Sequence, residues 1–68
     1  MDPETLNMSV RKFLKTVGVS SQREIEAAIA AGVKAGTIKS GGRLKAKMTL
    51  QIDAVHLTHI VEDTIDLE

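Results

Sequence analysis

The 68-residue chain has no cysteine, no tryptophan and no tyrosine, and it has a single phenylalanine and a single proline. Without cysteine it forms no disulfide and no thiolate metal site, two devices that commonly stabilise small domains. Its nine basic and nine acidic residues cancel, so the net charge gives no support to nucleic-acid binding. No apolar run approaches the roughly 20 residues of a membrane span, and the N-terminal segment is too charged for a signal peptide. We therefore expect a cytoplasmic protein that makes no membrane contact.

The apolar residues of the chain are poorly suited to building a stable core. Phe13 is the only aromatic residue, and alanine makes up much of the 43% hydrophobic fraction. Burying a leucine, isoleucine or phenylalanine contributes about 1.5–3 kcal/mol, whereas alanine offers one methyl group. A chain of this length is also near the lower limit for a single core. We therefore expect one domain, residues 1–68, that gains stability by forming a homo-oligomer, most simply a dimer.

The first segment reads as an amphipathic helix over residues 3–17. Asp2 is placed to cap the helix, and Pro3 suits its first position, where the missing N–H costs nothing. Gly18 is expected to end it. The apolar residues recur at helical spacing and form one stripe: Leu6, Val10, Phe13, Leu14 and Val17.

A second helix is predicted over residues 21–35. Ser21 and Glu24 have the spacing of a capping box, and Gly36 suits the left-handed residue that ends a helix. Gly32 lies on the apolar stripe and indicates a close backbone approach, either to the first helix or to the sheet. A helix, a tight glycine turn and a helix form either an αα-hairpin or a helix-turn-helix, and spacing alone does not separate the two.

After a loop at residues 37–42 the apolar period changes from helical to two, which predicts strands over residues 43–53 and 57–67. We predict an antiparallel hairpin in which paired residue numbers sum to 109, because this register sets Arg43 against Asp66 and Lys47 against Glu62. The fold class is therefore α+β, with two N-terminal helices followed by a β-hairpin.

Two features of the hairpin fit this pattern poorly. Ala54 and Val55 lack the glycine or asparagine that a type I′ turn needs, which favours a longer or irregular loop. Asp63 falls on the apolar face, and a β-bulge near Glu62 and Asp63 would account for it.

Three blocks carry a resemblance to a known family: Leu6-Asn7-Met8-Ser9, Arg11-Lys12-Phe13-Leu14-Lys15 and Ser21-Gln22-Arg23-Glu24. With KMTL and LTH further on, they resemble a family of small proteobacterial proteins, a domain of unknown function of about 68 residues. The similarity covers nearly the whole chain. That family has no assigned activity, so the resemblance implies a bacterial protein and carries over no site residue.

No catalytic, cofactor or metal site is predicted. The one metal-like pattern is Asp53, His56 and His59, but histidines three apart on a strand point to opposite faces. We expect one partly buried and one exposed histidine, with His59 opposite Leu50. No nucleophile elbow and no rigid pair of carboxylates is present, and so small a chain hardly encloses a substrate pocket. The chain is therefore not expected to be an enzyme.

The leading hypothesis is a small, non-catalytic interaction module that acts as a homo-oligomer, with a further, unidentified protein partner left open. The alternative is a winged-helix-like nucleic-acid-binding module. Its binding residues would be Ser21, Gln22 and Arg23 at the start of a recognition helix, with Arg43, Lys45 and Lys47 as a basic wing. Glu24 and Glu26 on the same helix weaken the electrostatic attraction on which such binding depends, so nucleic acid is the less favoured partner.

Overall fold

The computed structural model describes every residue, Met1–Glu68, as one helix followed by an antiparallel hairpin. The chain divides into two compact units, Met1–Ile38 and Lys39–Glu68. The α+β class is confirmed. The helix and the strands are α1 (Pro3–Ala35), β1 (Arg43–Ile52) and β2 (Leu57–Asp66), with a short 3₁₀ turn, Asp53–Val55, between the strands.

The helix begins as the sequence predicts. Asp2 has extended backbone angles and caps α1, accepting the Glu4 amide at 3.0 Å and the Thr5 hydroxyl at 2.9 Å. Pro3 occupies the first turn, where its fixed φ suits the helix and no hydrogen bond is lost.

The predicted break between two helices is wrong, because α1 continues without interruption for 33 residues, a length of about 50 Å. Gly18 weakens a helix by about 1 kcal/mol relative to alanine, which does not outweigh the hydrogen bonds of the turns around it. The nearby hydroxyls also serve the helix. Thr16 donates to the Lys12 carbonyl at 3.2 Å and Ser20 to the Thr16 carbonyl at 2.7 Å.

Two consequences follow for the second predicted helix. Ser21 lies inside α1 and is not an N-cap, so Ser21 and Glu24 form no capping box. Neither an αα-hairpin nor a helix-turn-helix exists in the chain. The expected left-handed residue is confirmed, since Gly36 ends α1 with φ 79°.

The end of α1 is closed by its own following residues. The amides of Gly36 and Thr37 bond the carbonyls of Val33 and Gly32 at 3.1 and 2.9 Å, the paired bonds of a Schellman motif. A Cβ added to Gly32 would lie 3.1 Å from Cγ1 of Ile38. The close neighbour that Gly32 indicated is therefore the Ile38 side chain, neither another helix nor the sheet.

The hairpin has the predicted register along its full length. Pairs run from Arg43 with Asp66 to Ile52 with Leu57, each summing to 109. Both strands are one residue shorter at their C-terminal ends than predicted. No bulge interrupts them, so the predicted bulge is wrong, and Asp63 lies directly opposite Ala46 on the apolar face.

The loop between the strands is irregular, as the absence of turn residues indicated. Asp53–Val55 form a single 3₁₀ turn, and His56 follows with φ 52°, the only non-glycine residue with positive φ. The His56 amide closes the loop on the Asp53 carbonyl at 3.1 Å.

Candidate self-association surfaces

No residue of the chain is buried. The least exposed apolar side chains are only partly buried, among them Val17 and Ile29 on α1 and Leu50 on β1. The apolar faces of the two units are therefore the chain's candidate functional surfaces.

The first surface is the apolar stripe of α1. Unit Met1–Ile38 contains one helix and no second element for the stripe to pack against. The side chains of the N-terminal half are about half exposed, with Phe13 at 51% and Leu14 at 52%. Isolated helices are marginal in water, and an amphipathic helix gains most of its stability from packing its apolar face. This stripe has no such packing within its unit.

The second surface is the apolar face of the hairpin. It consists of alternate residues of the two strands: Leu44, Ala46, Met48, Leu50, Ile52, Leu57, His59, Val61, Asp63 and Ile65. Met48 is 43% and Val61 is 52% exposed. A two-stranded sheet with nothing packed on its apolar face is marginally stable at best. His59 lies opposite Leu50 on this face, as predicted. His56 and His59 are both exposed, so the prediction of one partly buried histidine is wrong.

The opposite face of the hairpin is charged. Nε of Arg43 lies 3.2 Å from Oδ1 of Asp66, and both side chains are mostly exposed, at 75% and 61%. Lys47 is paired in register with Glu62, but their charged atoms form no ion pair within 4 Å. An exposed pair such as Arg43 with Asp66 typically contributes about 0–1 kcal/mol.

The residues of the nucleic-acid hypothesis are not arranged as it requires. Ser21, Gln22 and Arg23 lie in the middle of α1, where their amides already serve the helix. They present no free helix N-terminus to a phosphate or base. Gln22 Nε2 also donates to Glu26 Oε2 at 3.3 Å.

The basic wing is only partly assembled. Arg43, Lys45 and Lys47 share one face of β1, but Arg43 is paired with Asp66. They lie in a different unit from Ser21, Gln22 and Arg23. The nucleic-acid-binding hypothesis rested on a helix-turn-helix motif, and the continuous helix α1 does not contain one.

Other chemistry is sparse. No group of three or more histidine, cysteine, aspartate or glutamate residues is arranged to hold a metal ion. His56 lies in the turn, while His59 lies on β2. No helix combines the length and apolarity that crossing a membrane requires. The Thr5 hydroxyl and the Glu4 amide hold the pKa of Asp2 below its ordinary value.

Sequence reasoning treated the two halves of α1 as separate helices and so missed the surface that a continuous helix presents. The amino-acid sequence does contain a pattern that indicates this surface. The apolar positions of the first half recur nineteen residues later: Leu6 and Ile25, Val10 and Ile29, Leu14 and Val33. Such a repeat fits one long helix with a slowly rotating apolar face as well as it fits two short ones.

A family model described as a family of unknown function, DUF6494, matches residues 1–68. This confirms the resemblance to a family of unknown function, whereas a proteobacterial origin stays a prediction. No curated protein and no solved structure matches the chain.

Proposed function

The chain belongs to the family of unknown function DUF6494, and we propose that it is a small, non-catalytic interaction module that acts as a homo-oligomer. The observation that carries the proposal is the absence of any buried residue in a chain with fourteen large hydrophobic side chains exposed. Scattered exposed apolar residues are ordinary, but contiguous apolar faces rimmed by polar residues are typical of interaction sites.

Self-association would bury the apolar face that each unit leaves exposed. The unit with α1 and the unit with the hairpin each present one apolar face and contain nothing that covers it. A second copy supplies matching apolar faces at no cost in new sequence, and most soluble oligomers are symmetric assemblies of one chain. Fully burying a leucine or phenylalanine contributes about 1.5–3 kcal/mol, so a few such residues stabilise a small chain substantially.

Enzymatic activity finds no support among the titratable groups. The pKa of Asp2 is lowered by the Thr5 hydroxyl and by backbone amides of its own helix cap, which gives this carboxylate a structural role. Catalytic acids and bases typically have their pKa values shifted by burial or by charged neighbours in a cleft. A binding role fits this chain better than a catalytic one.

The proposal is tested by following unfolding across protein concentration. For an oligomer, the midpoint of thermal unfolding rises with concentration, because association stabilises the folded state by mass action. We expect such a rise, and sedimentation at micromolar concentration should give at least twice the 7.3 kDa chain mass. A monomer that unfolds cooperatively at a concentration-independent temperature would overturn the proposal.

A further inference from the structure

Two rows of residues run along α1 with four-residue spacing. The first row is Leu6, Val10, Leu14 and Gly18, and the second is Ser21, Ile25, Ile29 and Val33. The rows mirror each other about the midpoint between Val19 and Ser20, since each residue has a counterpart such that the two numbers sum to 39. A two-fold axis between antiparallel helices pairs residues in this way. The rows are therefore self-complementary.

The spacing of the rows also indicates how two such helices would cross. Residues four apart form ridges that interdigitate when helices cross at about −50°, the commonest packing class in globular proteins. Because successive residues advance by about 100°, the nineteen steps from Leu6 to Ile25 turn the apolar face by about 100°. A partner helix that crosses at this angle contacts the apolar face of α1 both before and after the crossing point. A partner that lies nearly parallel to α1 contacts this face in only one half of the helix.

Gly18 lies next to the midpoint. Its φ is not positive, and a Cβ added there would meet no atom of the chain within 4 Å. Nothing within the chain therefore requires glycine at a position where alanine would strengthen the helix. The counterpart of Gly18 is Ser21, another small residue, and small side chains at a crossing point let two helix backbones approach closely.

The charges on α1 favour an antiparallel over a parallel pair. The counterpart of Glu26 is Phe13, which lies midway between Arg11 and Lys15, so Glu26 of one helix lies at the level of both basic residues of the other. A parallel pair would set the basic residues of one copy at the level of the same residues in the other.

From these observations we infer that two copies of the chain associate through α1, crossing antiparallel with Gly18 of one copy against Ser21 of the other. The inference rests on the proposed homo-oligomer and assigns its contact surface. Leu14 of each copy packs against Ile25 of the other. The occupant of the α1 stripe is therefore a second copy of this chain.

Engineered cysteines test the pairing directly, because the chain has no cysteine of its own. Leu14→Cys and Ile25→Cys chains, one of them carrying a mass tag, are mixed and oxidised under mild conditions. We expect the mixed disulfide to exceed either homodimeric disulfide at least tenfold, because a disulfide needs Cα atoms within about 7 Å. Homodimeric disulfides in excess would indicate parallel helices and overturn the inference. Folded dimers without any cross-link would overturn it too while leaving the homo-oligomer standing.

A substitution at the crossing point gives an independent readout. Gly18→Gln introduces a longer side chain with good helix propensity, and Thr16→Gln introduces the same side chain on the opposite side of α1. We expect Gly18→Gln to raise the dimer dissociation constant at least tenfold in sedimentation equilibrium, and Thr16→Gln to change it less than twofold. Equal dissociation constants for the two variants would overturn the inference. A folded wild-type monomer would overturn the homo-oligomer as well, which separates the two failures.

Discussion

Nε of Arg43 lies 3.2 Å from Oδ1 of Asp66 at the open end of the hairpin, where the two residues face each other across the strands. This ion pair forms at the end furthest from the turn, where a two-stranded hairpin frays first. It joins the first residue of β1 to the last residue of β2. Both side chains remain mostly exposed, so water and salt screen their attraction.

We therefore predict a small, salt-dependent effect for Arg43→Ala. The loss should lie within about 1 kcal/mol, as for other exposed ion pairs, and it should shrink as salt rises from low to molar concentration. Chemical denaturation at both salt concentrations measures it. The matched variant is Lys47→Ala, whose partner in register, Glu62, forms no ion pair. A salt-dependent loss of equal size at Lys47 would contradict the distinction.

The turn should be improved by glycine at position 56. His56 has φ 52°, a region that costs a non-glycine residue about 1–2 kcal/mol. His56→Gly is therefore expected to raise the denaturation midpoint, and His56→Val to lower it, since a β-branched residue fits this region worst. Ala54→Gly serves as the control, because Ala54 has no positive φ. An equal gain at position 54 would mean that the turn does not hold His56 in this conformation.

The C-terminal end of α1 should depend on Gly36. With φ 79°, an alanine there is expected to destabilise the helix end by about 1–2 kcal/mol. Gly36→Asn should cost less, because asparagine tolerates left-handed angles better than other side chains. Circular dichroism during denaturation compares the two variants. Equal losses for alanine and asparagine would show that the effect is not one of backbone conformation.

The start of α1 should respond to acid through Asp2. The Thr5 hydroxyl and then the Glu4 amide lower the pKa of Asp2 from its ordinary 3.8. A group whose pKa is depressed by folding adds stability above its unfolded pKa and loses it as the pH falls through the folded pKa. Helicity should therefore decrease at the N-terminus below about pH 4, the ordinary range for this group.

The Asp2→Asn variant isolates that titration. Asparagine still caps the helix, but it carries no proton in this range. The difference in amide exchange at Glu4 and Thr5 between the wild type and the variant, followed from pH 5 to pH 2, should therefore shrink as the pH falls, because protonated Asp2 is neutral like asparagine. A constant difference over that range would show that Asp2 does not support the cap in its charged form.

The hairpin could be predicted from sequence because two independent patterns agreed on it. The period of two placed the strands, and the charge pairs Arg43 with Asp66 and Lys47 with Glu62 selected one register among several. The ends of α1 could also be predicted, because each depends on nearby residues alone: Asp2 caps the first turn, and Gly36 takes the left-handed conformation that ends the helix.

The course of α1 between its ends was not predictable in the same way. Gly18 and Ser21 look like the end of one helix and the start of the next, but neither residue forbids a continuous helix. Ser20 turns its hydroxyl to the Thr16 carbonyl and caps nothing. A glycine within a helix and a glycine that ends a helix can have the same neighbours in sequence. What distinguishes them is the structure around the glycine, which a local sequence pattern does not specify. The candidate surface on α1 was missed for the same reason.

Asp63 has a consequence for whatever covers the hairpin. Asp63 lies on the face that holds Met48 and Val61, and its Oδ1 accepts the Thr64 amide at 2.7 Å. Burying this carboxylate without a counter-charge or further hydrogen bonds is strongly unfavourable. A wholly apolar surface, such as the interior of a lipid layer, is therefore a poor match for this face of the hairpin. A matching surface has to bring a cation or hydrogen-bond donors to the place where Asp63 lies. One acidic residue thus restricts the hairpin's companions to those with the right polar group in the right place.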